Sequence, residues 1–170
     1  TLYLAYEDSS SGEVRIAGSP APFDALGGFA VGLGVEPALT VDANGVPDLV
    51  YRGSAFNSLE RLRCGDASCA STNTQTLAGA GRGYAPSATR SNAGTLYVVH
   101  QEQASGTVLG TICNDTACAS PQSITFDVGP GYGGRSVALS FANGRPLAIY
   151  RDALRADVRN SQCSTPACTA

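Results

Sequence analysis

The chain has 170 residues, enough for one domain with a buried core, and 43% of them are hydrophobic, which argues against wholesale disorder. The net charge is −3 and all 11 basic residues are arginine; without lysine there is no G-K-[ST] phosphate loop, and no basic stripe exists for a nucleic acid. With 20 glycines and 9 prolines the chain favours turns over long helices, and its longest apolar stretch, Phe29 to Val35, is broken by glycines far short of the ~20 residues of a membrane span.

In chain order, Leu4-Ala5-Tyr6 reads as a short strand and Glu13 to Ala17 as a second, followed by a link, Gly18-Ser19-Pro20-Ala21-Pro22. Ala38-Leu39-Thr40-Val41 then enters the turn Ala43-Asn44-Gly45, and a run ending in an aromatic ring follows, Leu49-Val50-Tyr51. Asn-Gly between short apolar runs predicts a tight hairpin with positive φ at both central residues. A third run leads into Cys64, a loop closes at Cys69, a fourth run follows, and Gly79 to Gly83 forms a link. The order returns in Ser87 to Arg90, Asn92-Ala93-Gly94, Val98-Val99-His100, Val108 to Ile112, Cys113, Cys118, Ser123 to Phe126 and the link Gly129 to Gly134. It returns again in Val137 to Ser140, Ala142-Asn143-Gly144, Ala148-Ile149-Tyr150, Cys163 and Cys168. Leu59 with Leu62, and Leu154 with Val158, also have helical spacing. The equivalent stretch of the middle unit holds Gly106 and Gly110, poor helix material, so strands are predicted.

The turn glycines and the first cysteines recur 49 and then 50 residues apart. Each unit reads as four antiparallel strands, A to D, the size of one propeller blade. The units are 1–36, 37–85, 86–135 and 136–170 within a single domain, 1–170. The chain opens at a strand B and ends past a strand C, which predicts fourteen strands. The six cysteines form three pairs, each enclosing four residues. Local disulfides are one reading and a metal site the other. Zinc favours shorter gaps and four converging ligands, whereas these pairs lie far apart and His100 is the one histidine. Three structural disulfides place the chain in an oxidising compartment: periplasm, cell surface or outside.

Pro37, Leu39, Asn44-Gly45, Pro47, Leu49-Val50-Tyr51, Cys64 and Cys69 together resemble the tandem blade repeat of secreted bacterial β-propellers with C-x4-C hairpins. The resemblance spans nearly the whole chain. The middle unit departs from it, with Thr95 in place of a residue pair ending in proline and His100 in place of tyrosine. The resemblance implies an all-β propeller or propeller segment of about four blades, incomplete at both termini. A closed four-bladed ring, an eight-bladed ring of two chains, and a portion of a longer protein or one docked on a partner all remain open.

Architecture says little about activity. His100 is a candidate general base, but it fills the slot of Tyr6, Tyr51 and Tyr150, where a packed ring is the simpler reading. Glu7, Asp8, Glu102 and Asp152 follow strand B and could line one end of a propeller as glycosidase carboxylates, or serve as loop residues at hairpin mouths. Arg52 and Arg151, beside the tyrosines, could hold an acidic sugar. Tyr84 and Tyr132 sit in equivalent links as possible exposed contacts, or pack between blades. Asp66 and Asp115 share one position in the cysteine loop; one carboxylate per loop is too few for calcium, and Asx turns suit them better. No catalytic residue, metal ligand or cofactor is assigned. The expectation is a non-catalytic extracytoplasmic module that binds a protein partner, or itself, through its incomplete ends. A carbohydrate-binding propeller and a glycoside hydrolase or lyase fragment are the alternatives.

Overall fold

Short apolar runs punctuated by turn residues build strands throughout. The computed structural model describes residues 2–19, 27–128 and 137–168, and among them lie thirteen strands and no helix. The strands are β1 (Leu2–Asp8), β2 (Glu13–Ser19), β3 (Gly27–Val41), β4 (Pro47–Gly53), β5 (Leu59–Cys64), β6 (Thr72–Ala78) and β7 (Tyr84–Arg90). They continue with β8 (Leu96–Gln101), β9 (Val108–Cys113), β10 (Gln122–Asp127), β11 (Val137–Ala142), β12 (Arg145–Asp152) and β13 (Asp157–Gln162). Three antiparallel sheets result: β1 to β6, β7 to β10 and β11 to β13, each with neighbours in chain order. No strand pairing joins the last sheet to the first among the described residues.

The fourteenth strand is missing because two predicted strands are one. The N-terminal half of β3 pairs with β2 as far as Glu13↔Leu33, and the C-terminal half pairs with β4 from Gly34↔Gly53 onward. The run from Phe29 to Val35 has no Asn, Asp or Pro to turn the chain, so it stays extended while changing partner. Gly34 allows the close approach: a Cβ there would lie 2.5 Å from the Arg52 carbonyl oxygen. A bulge follows between Val35 and Ala38, where Glu36 adopts φ 58° before Pro37. Ala85, before Pro86, repeats this at φ 48°, with a bulge between Tyr84 and Ser87.

The turns correct the sequence reading in detail. Only Asn143-Gly144 has positive φ at both central residues, as a two-residue hairpin needs. In the first two, glycine alone is left-handed: Gly45 donates to the Asp42 carbonyl at 3.0 Å and Gly94 to the Ser91 carbonyl at 2.9 Å. Asp42 explains the first case, since its carboxylate accepts from the backbone of Asn44 and Val46 and holds a longer loop.

The core lies between successive sheet bodies. The six-stranded sheet folds over itself, and Val14, Leu49, Tyr51, Leu62 and Cys64 pack between its halves. Val50, Leu59, Leu96, Val98, Cys113 and Cys118 fill the next gap, against β7 to β10. Val99, Val108, Ala148 and Tyr150 fill the third, against β11 to β13. Strand β7 lies against β3 on one side and β11 on the other. Antiparallel order places the A–B turns and cysteine loops at one end of this stack, and the B–C hairpins and D–A links at the opposite end.

Candidate functional site

The residues singled out from sequence lie at the opposite end, and most are spent inside the fold. Arg52 binds both oxygens of Glu36, at 3.2 and 3.1 Å, and donates to Asn57 Oδ1 at 2.8 Å. Its guanidinium also lies 4.5 Å from the ring centre of Tyr84. Of the two readings of Tyr84, packing between units is the one its placement fits: the ring is buried, and its hydroxyl donates to Gln103 Oε1 at 2.7 Å. Glu36 Oε2 also accepts from the Ala85 amide at 2.9 Å, so one carboxylate ties two sheets together. Tyr132 lies outside the described residues. Arg151 is exposed and borders a shallow groove of about 370 Å³ with Ile149, Val158 and Ala138.

His100 is buried. Its Nδ1 donates to the Arg82 carbonyl at 2.5 Å, which leaves Nε2 to accept from the Thr111 hydroxyl at 3.0 Å. Burial depresses its pKa to about 4, against a partial lift from the Arg82 carbonyl. Neither nitrogen is left to take a proton from a substrate. The carboxylates serve their own hairpins. Asp8 accepts from the Ser10 hydroxyl and amide and from Arg15, bonds that lower its pKa to about 2. In Asp152 burial pushes upward, but Arg155 and the amides of Leu154 and Arg155 outweigh it and hold the group ionised. Glu102 accepts from Ser105 and Arg82, which lower it too. Glu7 is exposed. Among the described residues no group of three or more His, Cys, Asp and Glu side chains could hold a metal ion.

The cysteine end holds the three disulfides the spacing predicts, together with contacts the sequence reading missed. The disulfides Cys64–Cys69, Cys113–Cys118 and Cys163–Cys168 are formed. In each loop the second cysteine is left-handed, with φ of 55°, 53° and 52°. Each also donates its amide, at 3.1 Å, to the carbonyl three residues earlier. Asp66 accepts from the Ser68 amide and hydroxyl, an Asx turn, and Asp115 accepts from the Ala119 amide. The loops present equivalent carbonyls to the preceding sheet body. Tyr3 donates to Ala67 O, Arg61 to Thr116 O at 2.9 Å, and Tyr97 to Pro166 O at 2.9 Å.

Below the middle loop lies a buried ion cluster. Asp48 receives Arg61 through Nε at 2.9 Å and Nη2 at 2.7 Å, then Arg63 at 3.3 Å and Arg90. Arg63 reaches on to Asp42 at 2.7 Å. Three guanidiniums thus share two carboxylates. A groove of about 620 Å³ beside them is lined by Arg61, Arg63, Ser71, Asn73, Gln75 and Thr116. Alternation puts Arg61 and Arg63 on one face of β5, where they pair with Val50 and Asp48, but alternation alone does not tell a covered face from a solvated one.

The third feature is the pair of outward faces. The slot filled by Tyr51, His100 and Tyr150 is 3, 1 and 2% exposed, while Tyr6 in the same slot is 37% exposed. On the other face, Val50 and Val99 are fully buried and their equivalent Ile149 is 41% exposed. Positions that are core in the middle of the stack are therefore open at its two ends. No model of a known protein family matches the chain, and no curated protein matches it.

Proposed function

We propose that the chain is a propeller-type extracytoplasmic binding module that docks a protein partner through its first and last sheets and performs no catalysis. The observation that carries this reading is the exposure at repeat positions: Leu4, Tyr6 and Ile149 stand open where their equivalents in the middle sheets are core. Open apolar faces of this kind mark interaction sites. The three disulfides suit an oxidising environment, in the periplasm, at the cell surface or outside the cell. The blade-sized repeat and its likeness to secreted bacterial propellers support the propeller assignment. No helix of the described residues is long and apolar enough to cross a membrane.

The test is photo-crosslinking from positions 4 and 149 in extracts of the source, with positions 73 and 75 as controls. Crosslinks to a defined protein from the end faces alone support docking. Equal labelling from all positions, or none, overturns it. The groove beside Arg61 and Arg63 favours a second reading, a carbohydrate ligand, because hydroxyl and amide groups line it beside two guanidiniums. Glycan-array binding abolished by Asn73→Ala would establish that reading in place of the first.

A further inference from the structure

We propose that the last sheet of one chain receives the first sheet of a second copy, head to tail, as each sheet body within the chain receives the next. The proposal rests on the docking reading above and names its partner.

The interface already exists three times inside the molecule. In each case the same strand-B positions supply the two facing surfaces. Leu49 with Tyr51, Val98 with His100, and Ala148 with Tyr150 face the preceding body. In β1 those positions are Leu4 and Tyr6, with Leu2 beside them, all exposed. The opposite set, which faces the following body, is Asp48 with Val50 and Arg52 in β4. In β12 that set is Leu147, Ile149 and Arg151, and β13 adds Val158 through the pair Arg151↔Val158. Ile149, Arg151 and Val158 are exposed and border the groove of about 370 Å³. One end thus offers an aromatic and two leucines, and the other offers a shallow apolar groove.

Charge selects the pairing. Opposed residues in a ladder share a face, so the pairs Tyr6↔Arg15 and Asp8↔Glu13 put Asp8, Glu13 and Arg15 beside Tyr6. Arg15 binds Asp8 at 3.0 Å, so this face carries a net charge of −1 through Glu13. The other face carries Arg151, which makes no ion pair among the described residues, and Arg145 at the far end of β12, with Asp157 at the border of the groove. Glu13 and Arg151 lie at the B–C end of their strands, so they meet when the sheets stack in the internal manner. With the strand direction kept as it is inside the chain, two first sheets placed face to face would oppose Glu13 to Glu13, and two last sheets Arg151 to Arg151. A head-to-tail contact follows, and such contacts either close into rings or extend.

One internal bond is not reproduced. Leu147 takes the position of the donors Tyr3 and Tyr97 and has none to offer a neighbouring loop; where that position is Asp48, the donor is Arg61 of β5, whose place in β13 is taken by Asn160. Association therefore rests on apolar contact and one charge pair, and is reversible.

Sedimentation velocity on the full chain over a wide concentration range is the test. The chain is expected to pass from monomer to larger species as concentration rises. A first-face variant, Leu4→Asp with Tyr6→Asp, and a last-face variant, Ile149→Asp, are each expected to stay monomeric alone. Mixed, they should give a one-to-one dimer and nothing larger. All of these positions are exposed, and circular dichroism checks that each variant is folded. A single variant that still dimerises alone overturns the proposal in favour of a symmetric contact. A parent chain that stays monomeric throughout overturns it too, while the crosslinking experiment judges the broader docking reading separately. Arg151→Glu should weaken association, and Glu13→Arg in the partner copy should restore it.

Discussion

A buried imidazole in a slot that elsewhere holds tyrosine gives the third unit an acid-sensitive point. His100 titrates near 6.5 when unfolded and at about 4 when folded, so the unfolded chain binds the proton first as pH falls. Its contribution is complete above pH ~6.5 and is lost as pH falls toward ~4, a difference of about 3 kcal/mol. Urea midpoints at neutral and mildly acid pH should therefore converge in His100→Tyr and separate in the parent chain. Asp48 is a second residue on which stability depends, because its side chain is fully buried among three guanidiniums. Asp48→Asn leaves those charges without their shared counter-ion and should lose about 3–5 kcal/mol in chemical denaturation. Gln101 works in the opposite direction. Its amide is buried and neither end has a hydrogen-bond partner among the described residues, so Gln101→Met should raise stability by about 1 kcal/mol in the same measurement.

Each cysteine loop is an element with two tasks: it closes a hairpin and presents a carbonyl to the body before it. The middle disulfide also belongs to the core, since Cys113 and Cys118 are buried with Val50 and Leu59. Replacing that pair by alanine should cost more than the ~2 kcal/mol of loop closure alone, whereas replacing the half-exposed Cys163–Cys168 pair should cost about that amount or less. Calorimetry distinguishes the two, and mild reductant should open Cys163–Cys168 first by alkylation mass spectrometry. The cysteine spacing and turn glycines made the hairpins legible in the sequence, because local geometry leaves few other solutions. The fusion of two strands into β3 was not legible, since it depends on where neighbouring strands end. Packing of Tyr84 between units was one of its two readings, but its union with Arg52 through Glu36 was hidden. Either residue suits a surface contact by type, and only the left-handed Glu36 beside Pro37 brings the carboxylate between them.

For the whole molecule, the sheets form a stack with two unequal ends. Which faces of the first and last sheets stand open required the register of β1 and β12. The Asp48 cluster and its groove stayed hidden for a related reason. Charged residues on a strand read as solvated until the neighbouring body that covers them is known. The candidate site legible in the sequence was therefore the B–C end, where loop carboxylates are conspicuous. The structure uses Asp8, Glu102 and Asp152 to hold hairpins, while the stack ends and grooves at the cysteine end stand open to a ligand.

The shared strand β3 sets how the stack comes apart. Its first half is laddered to β2 and its second half to β4, so the first sheet body cannot open without pulling on the second. The β11 to β13 body has no such common backbone and is held by packing and a few side-chain bonds such as Tyr150 to Asp127. Local openings should begin there and stop at the first shared ladder. In native-state hydrogen exchange the amides of β12 and β13 should then lose protection first, while those on both halves of β3 exchange together with the largest free energy.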